Sequence, residues 1–402
     1  MFDWEQRKLG DVSEIKDSAR IPNTEWEKAG VPYLRSSDLS NGHIDGELFL
    51  SFKNYEKYAN KTGAPEKGDL LFASGGDIGI AVYKDNESPV YVQGGSILYV
   101  KTSRTNKLDG LFLQYAFESP KVKSYIKNAS TGTSLKHFVL KSANSLPILF
   151  SSIEEQKKIG SFFKQLDDTI ALHHRKLELL KQLKKAYLQQ MFPTNGEINP
   201  KVRFANFTNV WEQRKLGELM EIASVKRIHQ SDWKDSGVRF LRARDIVSAA
   251  KGEEPAEYLY ISDEKYDEYS KISGKVQVGD LLVTGVGSIG VPMLIDHEAP
   301  LYFKDGNIIW FKNKNKIAGQ FLYYSFISFG IQKYIRNVAG IGTVGTYTIE
   351  SGKKTPISLS SFEEQQKIGI FFKQLDDTIA LHQNKIETIK KIKKAFLQKM
   401  FI

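Results

Sequence analysis

EEQKKIGSFFKQLDDTIALHHRKLELLKQLKKAYLQQMF, residues Glu154–Phe192, comes back almost word for word at Glu363–Phe401 as EEQQKIGIFFKQLDDTIALHQNKIETIKKIKKAFLQKMF. At a shift of 209 positions, 28 of the 39 residues are identical. Four of the 11 others keep their apolar character, among them Leu177/Ile386, Leu183/Ile392 and Tyr187/Phe396. Apolar residues recur at heptad spacing. In the first copy the seam reads Ile159, Phe163, Leu166, Ile170, His173, Leu177, Leu180, Lys184, Tyr187, Met191; in the second it reads Ile368, Phe372, Leu375, Ile379, His382, Ile386, Ile389, Lys393, Phe396, Met400. Such a stripe predicts a long coiled-coil helix. Ser151-x-x-Glu154 and Ser360-x-x-Glu363 read as the capping boxes that open it. Pro147 and Pro356 lie just upstream, and Pro193 ends the first copy.

Each stripe has two possible partners, the other copy or the adjoining globular domain. The mutual pair is favoured, because a single domain rarely offers so long an apolar strip. His173 and His382 fall at equivalent seam positions and read as a polar layer fixing register rather than as ligands, since no carboxylate or cysteine stands with them at ligand spacing. Gly160 and Gly369 each cost about 1 kcal/mol of helix propensity, so fraying near the start is expected. Asp167 and Asp168 are expected on the solvated face. Lys184 and Lys393 break the stripe and face either the other helix or a partner.

Outward from this helix the whole chain is duplicated. WEQRKLG at Trp4 recurs at Trp211, and VPYLRSSDL at Val31 pairs with VRFLRARDI at Val238. GDLLFASGGDIG at Gly68 pairs with GDLLVTGVGSIG at Gly279, and YVQGGSILYVK at Tyr91 with YFKDGNIIWFK at Tyr302. The order is unit, helix, unit, helix, with bounds read as 1–150, 151–192, a linker 193–210, 211–359 and 360–402. The second tryptophan has a polar lead-in, Pro193–Asn209, whose counterpart is missing ahead of Trp4. Within each unit the apolar runs DLLFA, SPVYV and SILYVKT predict strands of a mixed sheet. Leu111–Lys127 predicts a helix with an aromatic core face.

The 402 residues carry no cysteine, which excludes disulfides and thiolate zinc sites and suits a reducing cytoplasm. No run of 18 apolar residues and no signal peptide is present, so no membrane association is expected. The net charge of +10 leans toward a polyanion, nucleic acid first.

Catalytic signatures are missing: the sequence has no G-x-x-x-x-G-K-[ST], H-E-x-x-H or G-x-S-x-G, and no Asp/Asn-Pro-Pro-aromatic tetrad of amino-methyltransferases. Gly285–Gly290 fits G-x-G-x-x-G but is followed by a strand-like run, so a glycine turn is the better reading. What remains are loops suited to DNA. Arg35, Ser36 and Ser37 match Arg242 and Arg244 at equivalent turns, where an arginine can grip guanine with two hydrogen bonds. Asp38 and Asp245 offer the alternative of simply holding those arginines in place. Further DNA-binding candidates are Ser74, Thr133, Lys136 and His137 in the first unit, and Ser288, Thr343, Thr346 and Tyr347 in the second. Lys121, Lys123, Lys127 and Lys333 would serve as phosphate contacts, which position without specifying. Among the arginines, Arg242 is expected to read one half of the target.

Taken together, WEQRKLG heading each unit, GDLL followed by a glycine turn, and the duplicated EEQ…KI…F…LD…I…L helix resemble the specificity subunit of type I restriction–modification systems over essentially the full chain. The resemblance implies an α+β fold of two tandem target recognition domains, each mixed α/β, separated by two long antiparallel coiled-coil helices with a pseudo-twofold duplication. It implies a non-catalytic subunit in which each domain reads one half of a bipartite asymmetric DNA site and the helices set the spacer. The implied partners are double-stranded DNA, two modification methyltransferase subunits and ATP-driven restriction subunits. S-adenosylmethionine, ATP and Mg²⁺ would sit on those partners, with no cofactor or metal on this chain. A stand-alone DNA-modifying or DNA-cleaving enzyme, and a coiled-coil scaffold with generic anion binding, are the alternatives. The apolar faces around Phe162 and Phe371 are expected to favour partner binding.

Overall fold

A computed structural model describes residues 4–40, 42, 44–132, 136–194, 197–340 and 345–401. The chain divides into two units, Met1–His174 with Asn384–Ile402, and Arg175–Gln383.

In the first unit the WEQRKLG head becomes strand Glu5–Lys8, which pairs antiparallel with Pro147–Phe150, the strand leading into the first repeat helix. A four-stranded antiparallel sheet runs in the order Ile15–Asp17, Ile97–Val100, Leu70–Ala73, Ala81–Tyr83. The SPVYV run does not join it. Its strand, Tyr91–Val92, lies parallel to Val31–Leu34 in a separate three-stranded sheet completed by Phe49–Leu50. The expected single mixed sheet is therefore two sheets, and side-chain alternation shows why. Leu70, Phe72, Leu98 and Val100 face a helical layer that includes Phe112 and Phe117, while Leu71, Ile97 and Tyr99 face the second sheet through Leu34 and Val92. A strand covered on both faces must be apolar at every position, which leaves no polar alternation in the sequence.

The helical layer holds another difference. The Leu111–Lys127 stretch forms two helices, Gly110–Glu118 and Pro120–Ala129, with Ser119 capping the second and Pro120 in its first turn. Its aromatic face is core as expected, with Phe112, Tyr115 and Phe117 buried.

The second unit repeats the plan. Glu212–Lys215 pairs with Pro356–Leu359. The four-stranded sheet is Glu221–Ala223, Ile308–Lys312, Leu281–Thr284, Pro292–Leu294, and the three-stranded sheet is Leu259–Ile261, Val238–Leu241, Leu301–Phe303. Gly285–Gly290 turns one strand into the next, with Leu281 opposite Leu294 and no helix opening at the third glycine.

The repeats form helices Ile153–Gln190 and Phe362–Met400. Their caps sit one residue later than the sequence suggested. The Ser152 hydroxyl accepts from the Glu155 amide at 3.4 Å, and that of Ser361 from the Glu364 amide at 3.3 Å. Tandem serines and tandem glutamates permit either register, so only the backbone decides. In the first unit Phe162 meets Phe396 edge-on at 5.2 Å and Asp167 bonds Lys393 at 2.8 Å. In the second unit Tyr187 meets Phe371 at 5.1 Å and Lys184 bonds Asp376 at 2.5 Å. Residue numbers rise along one helix as they fall along the other, so the pairing is antiparallel.

The seam residues from Ile159 to Leu180 and from Ile368 to Ile389 are all buried or half-buried. Their partners are shared, not purely mutual. Phe163 stacks on Tyr115 at 5.0 Å and Phe372 packs on Tyr324 at 5.0 Å, so the start of each helix also packs on its own domain. Gly160 and Gly369 serve this packing. A Cβ on Gly160 would stand 3.0 Å from the Phe112 amide nitrogen, and one on Gly369 would stand 2.7 Å from the Gln320 Cβ. The glycines are sites of close approach between helices rather than points of fraying.

Asp167 is not on a solvated face either. It accepts the Tyr115 hydroxyl at 2.9 Å as well as Lys393, and Asp376 does the same for Tyr324 and Lys184. Burial first, then the adjacent carboxylate, pushes both phenols up. Burial works against the Lys393 charge, yet bonds to Asp167 and Glu118 hold its pKa above the ordinary lysine value. Both stripe-breaking lysines thus face the other helix. Only Asp168 keeps the expected exposed place, paired with Lys164.

Candidate nucleic-acid interface

In each unit the parallel strand pair of the small sheet ends in a loop cluster. Val31–Leu34 runs into Arg35, whose amide, Nε and Nη2 all donate to Asp38, at 2.7, 3.2 and 3.0 Å. That bond is the chief reason the Arg35 pKa lies above the ordinary arginine value. Val238–Leu241 runs into Arg242, which repeats the fork on Asp245 and adds bonds from Nη1 to the Glu257 carboxylate at 3.1 Å and from Nη2 to the Glu257 carbonyl at 2.8 Å. Of the two readings open for these aspartates, both arginines are held in place by them. The Arg242 side chain is 11% exposed and occupied within its own domain. Arg244 is 65% exposed, and its ion-pair partner among the described residues is the Glu257 carboxylate, at 3.3 Å.

The parallel neighbour strand brings a second set of side chains to the same place. Gln93 donates its amide to the Leu34 carbonyl, and Lys304 donates to that of Leu241, both at 2.8 Å. In the second unit Gln230, Trp233, Arg242, Arg244, Lys304 and Asn307 help line a shallow depression of about 530 Å³. Lys304, Asn307, Gln230 and Trp233 escaped the sequence reading. The aligned strands YVQGGSILYVK and YFKDGNIIWFK held the signal, since Gln93/Lys304 and Ser96/Asn307 are polar positions that diverge between turns that otherwise agree.

The glycine turn joins this cluster. The Ser74 amide bonds the Ser96 carbonyl at 2.9 Å, and the Phe138 amide bonds the Ser74 carbonyl at 2.8 Å, which carries the neighbouring His137 to the turn. Gly285 bonds Asn307 and Tyr347 in the same two ways. A Cβ on Gly75 would lie 2.9 Å from the His137 ring, and one on Gly76 would lie 3.1 Å from the Ser36 hydroxyl, so glycine is what lets these three loops meet. Ser36 and His137 are half-buried here, and Ser37 and Lys136 are exposed beside them. Ser74 is buried, with its hydroxyl bonded to the Gly95 carbonyl. In the second unit Ser288 and Thr346 are exposed, whereas Tyr347 is 2% exposed with its hydroxyl against Thr355. Tyr347 and Ser74 build the loops rather than present them. Thr133 and Thr343 lie outside the described residues.

Lys121, Lys123, Lys127 and Lys333 are exposed. Lys123, Lys127, Lys136 and Lys164 line a groove of about 1000 Å³ in the first unit, together with Asp85, Glu118, Asp167 and Asp168. Its charge is mixed, so it is no simple phosphate track. Among the described residues no group of three or more histidines or carboxylates could hold a metal, and no helix is long and apolar enough to cross a membrane.

Residues 1–182 and 184–391 each match the family described as type I restriction modification DNA specificity domain. The chain belongs to that family. The MjaVIII specificity subunit of a type I restriction enzyme from Methanocaldococcus jannaschii is 26% identical over 98% of this chain and 91% of its own length. A putative type I specificity subunit of Haemophilus influenzae is 30% identical over 40% of each chain. Among solved structures, the type I S subunit from M. genitalium superposes with a TM-score of 0.61 at 16% identity, covering 100% of this chain and 96% of that one. The HsdS subunit from Thermoanaerobacter tengcongensis gives 0.53 at 16% identity, covering 99% and 96%. A third, from work titled on complex assembly and conformational transition of the type I R-M system, gives 0.53 at 17% identity. As a specificity subunit the chain is a non-catalytic component of its system, devoted to DNA recognition. The fold is that of the S subunits: α+β, two tandem recognition domains and two long antiparallel repeat helices.

Proposed function

We propose that each unit reads one half of a bipartite, asymmetric DNA site and that the two repeat helices set the unread spacer between the halves. One observation carries this. The two loop clusters share their scaffold down to the Arg–Asp fork, yet differ in the side chains they present: Ser37, Gln93 and Ser96 in one, Arg244, Lys304 and Asn307 in the other. Like scaffolds with unlike donors and acceptors suit two different base sequences, because base edges are told apart by their donor and acceptor pattern. Arg244, Lys304 and Asn307 supply the base contacts of the second unit, with Arg242 as the post that holds the loop. Ser36, Ser37, Gln93, Lys136 and His137 supply those of the first.

The net charge of +10 supplies the sequence-independent attraction to phosphate. A helix of 38 residues is about 57 Å long. That is enough to separate two readings about one DNA turn, some 34 Å, apart. Two modification methyltransferase subunits and ATP-driven restriction subunits complete the assembly in the cytoplasm and carry the S-adenosylmethionine, ATP and Mg²⁺ chemistry. Methylation mapping of DNA from cells carrying this chain with its modification partner tests the reading. A split motif with unlike halves is expected; a continuous or palindromic motif contradicts it.

A further inference from the structure

We propose that Glu257 is a specificity-determining residue of the second unit, which together with Arg244 reads both bases of one G·C pair. The inference rests on the reading that Arg244 contacts a base, and it adds the opposite strand. Asp245, Arg242, Glu257 and Arg244 alternate in charge through the cluster. The Asp245 carboxylate accepts from Nε and Nη2 of the buried Arg242, both at 3.1 Å. Arg242 Nη1 donates to Glu257 Oε2 at 3.1 Å, and Arg244 Nη2 donates to the same oxygen at 3.3 Å. Arg242 Nη2 also bonds the Glu257 carbonyl at 2.8 Å, so Glu257 is fixed at its main chain and at one carboxylate oxygen. Its side chain is nonetheless 61% exposed, and it lines the depression with Arg244, Lys304 and Asn307.

An anchored carboxylate beside Arg244 disfavours a phosphate there, because like charges repel. It suits a base-pair edge that offers acceptors and a donor side by side. In the major groove guanine presents two acceptors, O6 and N7, and its cytosine presents the N4 amino donor. Arg244 has guanidinium N–H groups beyond the one on Glu257, and these match the guanine. The bonds to the Glu257 side chain fall on Oε2, which leaves Oε1 to accept from the cytosine. An A·T pair fits less well, since adenine sets a donor beside its one acceptor. The first unit lacks both members of the pair. Ser37 stands at the place of Arg244. Strand register puts Gly46 at that of Glu257, because Phe49 faces Pro32 as Tyr260 faces Arg239. A Cβ on Gly46 would lie 3.3 Å from Asp38 Oδ2, so this backbone also runs beside its fork. The paired reader therefore belongs to the second half of the site alone.

The test uses the full chain with its modification partner and the half-site found by methylation mapping. The base analogue 7-deazaguanine, which lacks N7, replaces each guanine of the second half in turn. The guanine whose replacement weakens wild type but not Arg244→Ala is the one Arg244 reads. N4-methylcytosine opposite it keeps the base pair but puts a methyl group in the major groove in place of the free N4–H. Competition binding should then fall at least about fivefold for wild type and less than about twofold for Glu257→Ala. Glu257→Gln keeps an acceptor for Arg242 but brings an NH2 group to the place of Oε1, and should lose the sensitivity too. It serves where Glu257→Ala melts too low to assay. No loss in wild type, or equal losses in wild type and the Glu257 variants, overturns the inference while the Arg244 reading stands. If no guanine distinguishes Arg244→Ala from wild type, the base reading of Arg244 falls and the paired reading falls with it.

Discussion

Asp38 and Asp245 make the difference between an arginine that reads and an arginine that holds. The sequence shows both possibilities, since Arg-x-x-Asp is equally a reading loop and a fork. The bonds to Asp245 and the 11% exposure of one side chain against 65% for the other separate Arg242 from Arg244. Arg244→Ala should therefore cost about 1–3 kcal/mol of discrimination at one base pair and change stability by less than about 0.5 kcal/mol. Arg242→Ala leaves Asp245, with a side chain 2% exposed, without its guanidinium, a loss on the order of 3 kcal/mol in stability. Competition binding against single-base variants, with urea unfolding of the same proteins, checks the pair. Relaxed specificity with intact stability in Arg242→Ala would reverse the assignment. A second residue-scale prediction concerns acid. Arg104, then Lys101, hold the Glu66 carboxyl down from 4.5 to about 2. A depressed carboxyl stabilises the fold above its unfolded pKa and loses that contribution as pH falls toward the folded one. Thermal melts should thus fall between pH 4.5 and about 2, and Glu66→Gln should melt lower at neutral pH and fall less in acid. Half-exposure keeps the effect small and sensitive to salt.

At the scale of elements, the repeat helices were legible because 3.5-residue periodicity survives in any context, and the turn at Gly285–Gly290 because strand-like residues follow it. The division into two sheets was not legible. Runs such as LLFA and ILYV are apolar throughout, and only their tertiary neighbours show which residue faces which layer. The glycines of the helices were misread for a similar reason. Propensity alone prices Gly160 at about 1 kcal/mol against alanine, so Gly160→Ala would stabilise an isolated helix. Here the new Cβ meets the Phe112 backbone at 3.0 Å, and the sign should reverse. Differential scanning calorimetry should show Gly160→Ala melting below wild type. A rise would mean that the crossing gives way and that propensity decides.

For the whole molecule, the duplication was plain in the sequence, while the exchange of helix ends was not. Leu397 and Phe401, near the end of the chain, belong to the core of the first unit, and Phe401 lies 5.2 Å from Phe112. Phe192 plays the same part in the second unit against Phe321 and Phe372. Phe401→Ala should cost about 3–5 kcal/mol, and hydrogen exchange should place the lost protection in helix Gly110–Glu118 of the first unit. Helix ends anchored in the core of each unit are what the proposed spacer function calls for. The most direct test is methylation mapping of a variant with about four residues, one helical turn, inserted at matched positions in both repeat helices. The account predicts the same two half-sites separated by a longer unread spacer. Altered half-sites at constant spacing would contradict it.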